Sequence, residues 1–144
     1  SDDHHRGNEE QQPGEHYHDP DLHDPASGAM DSLGFLRRTL RAAGLEPSTV
    51  VVVTSSRNAA ALCRGPFGMV FIDGGHTFEA AETDLACWAP QVVPGGILAI
   101  HDLFPNPADG GQAPITIYRG ALAGGDFDEL PGTKTLGVLR RKGR

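Results

Sequence analysis

Apolar residues along this chain gather into short runs, separated by polar or Gly/Pro-rich stretches, and the runs use two spacings. Leu33, Leu36, Leu40 and Ala43 recur at helical intervals, with Asp31 placed to cap the helix and Gly44 to stop it. Thr49 to Thr54 contains four consecutive valines and predicts a short, buried parallel strand. Asn58 to Cys63 predicts a short helix, and Met69 to Asp73 the next strand. Thr77 can cap a helix whose apolar face is Phe78, Ala81, Leu85 and Trp88. Glu79 and Glu82 suit its first turns, and Pro90 ends it. Pro94-Gly95-Gly96 predicts a turn into a third strand, Ile97 to His101. A loop rich in Pro and Gly runs from Phe104 to Pro114, where it could act as a lid or substrate loop. Ile115 to Ala123 predicts a helix. Asp126 to Leu130 and Thr135 to Leu139 predict two closing strands around Pro131-Gly132. Residues 1–30 are polar and rich in His, Asp, Glu, Gln and Pro, and are expected to be loop or disorder. Residues 31–144 hold the folded part, and no internal repeat is present.

Two of these runs stop at an acid: Met69-Val70-Phe71-Ile72 at Asp73, and Ile97-Leu98-Ala99-Ile100-His101 at Asp102. Parallel strands joined through a crossover helix bring both acids to one edge, where open α/β sheets bind ligands. Asp73 and Asp102, with His76 and His101 beside them in the chain, should therefore share one cleft. His101 precedes Asp102, so strand alternation turns it to the other face, as a packed core histidine.

Composition narrows the function classes. A net charge of −7 with no basic stripe argues against a nucleic-acid groove. The one basic cluster, Arg140 to Arg144, lies at the C-terminal end and is expected to be a solvated tail. No apolar run approaches the ~20 residues of a membrane span. Cys63 and Cys87 are isolated and fit buried thiols in a reducing cytoplasm. His4, His5, His16, His18 and His23 match no structural zinc spacing.

Three blocks taken together, Phe71 to His76 (FIDGGH), Pro94 to Asp102 (PGGILAIHD) and Asp109 to Pro114 (DGGQAP), resemble a bacterial group of Rossmann-like S-adenosylmethionine-dependent methyltransferases. The resemblance covers nearly the whole chain and implies an α/β fold. It would be a three-layer sheet, mostly parallel with an antiparallel C-terminal strand. The family's opening strand and glycine-rich cofactor turn have no counterpart here, so the resemblance implies an N-terminally incomplete domain. Three arrangements would meet that gap: a fragment, direct re-pairing of the valine strand, or a strand from another chain. The last would make an exposed sheet edge a surface for homo-oligomers.

The resemblance also implies roles. Asp3 would hold the cofactor's ribose hydroxyls, and Ser55 and Ser56 would lie at its adenine end. Asp73 and Gly74 would line the cofactor cleft, and His76 would serve as base beside Asp73. Asp73 and Asp102 resemble the paired acids that hold a Mg²⁺-type ion in metal-dependent O-methyltransferases. Those relatives carry Asn after the second acid, whereas Leu103 stands here. Other readings of the same residues are structural. Ser55, Ser56 and Asp73 suit helix caps, and Gly74 and Gly75 suit a tight turn. The expected function is methyl transfer by a domain completed with the missing opening strand and glycine-rich turn, with O-methylation of a small hydroxylated metabolite as its sharper form. The competing readings are a hydrolase-like metal site using Asp73, His76, His101 and Asp102, and a non-catalytic remnant of the fold that self-associates.

Overall fold

A computed structural model describes residues 32–75 and 77–143. It divides into two compact units, Ser1–Val51 and Val52–Arg144. In the first, α1 spans Leu33–Ala42. Gly44 stops it with φ +67°, a left-handed backbone that glycine adopts without a Cβ clash. A single 3-10 turn, Glu46–Ser48, follows. The N-cap position is Ser32, which makes no side-chain cap bond, and not the expected Asp31, which lies outside the described residues.

The second unit carries the sheet. Its helices are α2 (Ser56–Leu62), α3 (Phe78–Trp88) and α4 (Ala113–Ala123), and its strands are β1 (Phe67–Ile72), β2 (Val92–Ile100), β3 (Phe127–Thr133) and β4 (Leu136–Arg141). The strand order is β1-β2-β4-β3. β1 and β2 are parallel, with α3 between them in the chain, whereas β2–β4 and β3–β4 are antiparallel. This is the expected α/β class, with a mixed sheet and an antiparallel C-terminal end.

The core forms where the helices meet the sheet. Leu98, Ile100 and Leu139 are fully buried at the sheet centre, and Ile117, Tyr118 and Ala121 of α4 belong to the same cluster. β1 buries only one face: Val70 and Ile72 pack inward, while Met69 and Phe71 are 60% and 52% exposed. Side-chain caps fix the starts of α2 and α3. Ser55 Oγ accepts the Asn58 amide at 3.3 Å, and Thr77 Oγ1 accepts the Ala80 amide at 3.2 Å.

Three expected elements differ. The valine run forms no strand, and Val50 is 86% exposed. β-branching favours a strand only where a ladder partner satisfies the backbone, and the run has none among the described residues. Pro94-Gly95-Gly96 is an insertion inside β2: Phe67 pairs with Val92 and Met69 with Ile97, so the extra residues bulge out, with Gly95 at φ +79°. Pro131-Gly132 likewise sits inside β3, at the shift between Leu130 and Thr133. The hairpin turns instead at Lys134-Thr135, with Lys134 at φ +52°. A side chain at Gly132 would run into the Leu136 carbonyl, so glycine there serves close strand approach.

Candidate functional site

The site forms where β1 and β2 end side by side. Ile72 pairs with Ile100, so the residues that follow, Asp73 and His101, leave the sheet together. The His101 amide still donates to the Ile72 carbonyl at 3.0 Å, which extends the ladder one step. Asp102 then takes φ +60°, a left-handed conformation that Asp tolerates better than most residues. Past it, the Leu103 amide donates to the Thr135 carbonyl at 2.9 Å. Asp102 is thus held between two backbone ties.

That left-handed residue overturns the placement expected for His101. Alternation holds only while the backbone stays extended, and here β2 has already ended at Ile100. His101 Nδ1 lies 3.2 Å from Asp73 Oδ1 and 3.0 Å from Asp102 Oδ1. The three side chains each offer a ligand atom, all within 4.8 Å of one another. His101 is therefore part of the carboxylate cluster and not a core histidine. Its ring also faces Phe71, with centroids 6.3 Å apart. The expected meeting of Asp73 and Asp102 at one rim is what the structure shows.

The recess behind them is small, about 10 Å³, and is walled by Ile72, Ile100, Pro114 and Ile117. A space of that size suits one water or ion, not an organic molecule. The donor set of two carboxylate oxygens and one imidazole nitrogen fits a divalent cation. Two carboxylates this close repel unless positive charge lies among them. The imidazole donor shifts preference from Mg²⁺, which favours oxygen, toward Mn²⁺, Fe²⁺ or Zn²⁺.

A second, wider groove of about 400 Å³ runs between the starts of α2 and α3, lined by Ser55, Ser56, Arg57, Thr77, Glu79 and Asp84 among others. It contains the two serines expected at the cofactor's adenine end, and Ser55 doubles as the α2 cap. Asp84 was not singled out in the sequence. A Cβ on Gly74 would come within 2.6 Å of its Oδ2, so Gly74 admits the Asp84 carboxylate to the loop after β1. The only signal for this was an acid one helical turn beyond Ala80 facing a glycine pair. Trp88 packs on Phe67, with ring centroids 6.1 Å apart, in keeping with its expected packing role. His76 and Asp3 lie outside the described residues, as do the N-terminal histidines.

The loop after Asp102 and the start of α4 complete the surroundings. α4 begins at Ala113, two residues earlier than expected, with Pro114 in its first turn, where the missing amide costs nothing. Among the described residues no helix is long and apolar enough to cross a membrane.

Comparison with solved structures finds the MycE methyltransferase from the mycinamycin biosynthetic pathway, in complex with Mg, SAH and mycinamycin VI. Identity is 22% and the TM-score 0.42, over 60% of this chain and 28% of that one. A second crystal of the same enzyme, with Mg and SAH, gives 21% and 0.41, over 60% and 30%. The chain thus spans about three-tenths of the length of the structures it matches. A family model described as a methyltransferase domain matches residues 3–103, more than two-thirds of the chain and all of Asp73, His101 and Asp102. The chain belongs to the methyltransferase-domain family.

Proposed function

We propose that this chain carries out S-adenosylmethionine-dependent methyl transfer to an oxygen of a small hydroxylated molecule, with Asp73, His101 and Asp102 holding a divalent cation beside the acceptor. The observation that carries this reading is the convergence of those three side chains at the carboxyl ends of two parallel strands, within a chain of the methyltransferase family. In such a transfer the methyl leaves a sulfonium sulfur and bonds to the acceptor oxygen, which gives up its proton. A cation bound at the cluster would polarise that oxygen and make the proton easier to lose. The chain's own contribution is position: the backbone ties at His101 and Leu103 fix two of the three donors before any ligand arrives. The groove at Ser55 and Ser56 supplies hydroxyl and amide partners for the cofactor, whose bulk exceeds the recess behind Asp73. His76, next after Gly75, is the sequence candidate for taking the proton.

The hydrolase-like reading gains one observation, since it needs His101 in the cleft and His101 is there. Membership of a methyltransferase family favours transfer over hydrolysis.

Isothermal titration with S-adenosylhomocysteine, and separately with Mn²⁺, tests the proposal. Both should bind the intact chain. Asp102→Asn, which keeps the tolerance for a left-handed backbone, should weaken Mn²⁺ by at least about tenfold while leaving the melting temperature near that of the parent. Failure to bind S-adenosylhomocysteine by the chain joined to the family's opening strand and glycine-rich turn would remove the transferase reading. Hydrolysis of a chromogenic phosphate ester dependent on Mn²⁺ would favour the other.

A further inference from the structure

The Pro/Gly-rich loop from Phe104 to Pro114 has the composition of a lid, yet its bonds describe a closed loop. The Gln112 carboxamide donates through Nε2 to the Phe104 carbonyl at 3.0 Å and to the Gly110 carbonyl at 3.2 Å. One side chain therefore ties the start of the loop to its end. The Phe104 ring lies against Gly110 so closely that a side chain there would overlap it. Inside the loop, Asn106 Oδ1 accepts the Ala108 amide at 3.1 Å, and the Asn106 carbonyl accepts the Asp109 amide at 3.0 Å. Gln112 is itself anchored, being the residue before α4, whose Ala113, Pro114 and Ile115 are buried.

The loop starts two residues after Asp102 and ends at the helix that supplies Pro114 and Ile117 to the recess. We infer that Gln112 is a positioning residue: its carboxamide latches the loop shut and so holds Asp102 in its left-handed conformation, facing Asp73 and His101. The loop then serves as a fixed wall and not as a swinging gate. The latch needs a donor. Carbonyl oxygens at Phe104 and Gly110 both accept, so a carboxylate of the same shape would repel them where the amide binds. This inference rests on the cation reading above for its consequence, but not for the latch itself.

Gln112→Glu preserves size and removes the donors, and Gln112→Ala removes the side chain. Mn²⁺ titration of the full chain should show both variants binding about tenfold or more weakly than the parent, as is typical when a residue supporting a ligand is lost. Amide hydrogen exchange should show the Leu103 and Asp109 amides exchanging about tenfold faster in both variants, with the buried β2 amides of Leu98 and Ile100 unchanged. Parent-like Mn²⁺ affinity in Gln112→Glu would overturn the positioning role. If the parent chain binds no Mn²⁺, the cation reading fails and exchange alone decides. Faster exchange at Leu103 then supports the latch, and unchanged exchange overturns it.

Discussion

Burial pushes the Tyr118 phenol up to about 12, and the hydrogen bond it donates to Glu129, at 2.8 Å, and that carboxylate's charge push in the same direction. The folded chain therefore favours the neutral phenol more than the unfolded chain does, where the group loses its proton near 10.0. Its contribution to stability is complete below that pH and is lost as pH rises through about 12. Urea unfolding followed across this alkaline window should show the loss, and Tyr118→Phe should abolish that step while costing about 1 kcal/mol at neutral pH. At this same scale the sequence spoke unevenly. Asp73 and Asp102 were readable because each ends an apolar run, and a strand end fixes where a side chain emerges. His101 was not, because alternation is a rule for extended backbone and Asp102 leaves that region at φ +60°. Nothing in the residue order His-Asp-Leu announces the change. One tie beside it is the Leu103 amide on the Thr135 carbonyl, a partner distant in sequence.

Elements were legible where they close locally. α3 follows from its Thr77 cap, apolar spacing and the proline after it, and α4 from apolar spacing, all contained within a few residues. The valine run and the two Pro-Gly segments depart from their local patterns for a shared reason. Whether an extended stretch becomes a strand, and whether a Pro-Gly pair becomes a turn or a bulge, is decided by the neighbouring strand's register. One long-range tie joins elements that no local pattern connects. Arg141, near the end of β4, donates through Nη1 to the carbonyls of Ala89, Pro90 and Val92, at 3.3, 2.6 and 2.6 Å. It satisfies the turn between α3 and β2, where the helix has run out of its own donors. The expected solvated tail is thus, at this residue, a structural strap. Arg141→Ala should lower the unfolding free energy by about 1.5–3 kcal/mol in urea titration. Arg141→Lys should restore only part of it, because an ammonium on a shorter stem does not place its donors where Nη1 lies.

At the scale of the whole molecule, β1 is an edge of the sheet among the described residues. Among the described residues no strand pairs with the outer edge of β1, and Met69 and Phe71 leave apolar surface beside it. An edge with free backbone groups and apolar neighbours is a template for pairing with another chain. Light scattering at increasing protein concentration should therefore show a rising mean mass, and Phe71→Lys should suppress the rise. A constant monomer mass would count against self-association through this edge.

The chain has a single tryptophan. Trp88 stacks at a tilt on Phe67, the first residue of β1, while Asp73 follows the last. Six residues of strand separate the two places, on the order of 20 Å. Native fluorescence is thus an optical gauge of whether α3 and β1 stay joined. Indole emission would stay dark to an ion or small molecule arriving at the carboxylates, so a silent fluorescence titration would say nothing about occupancy there.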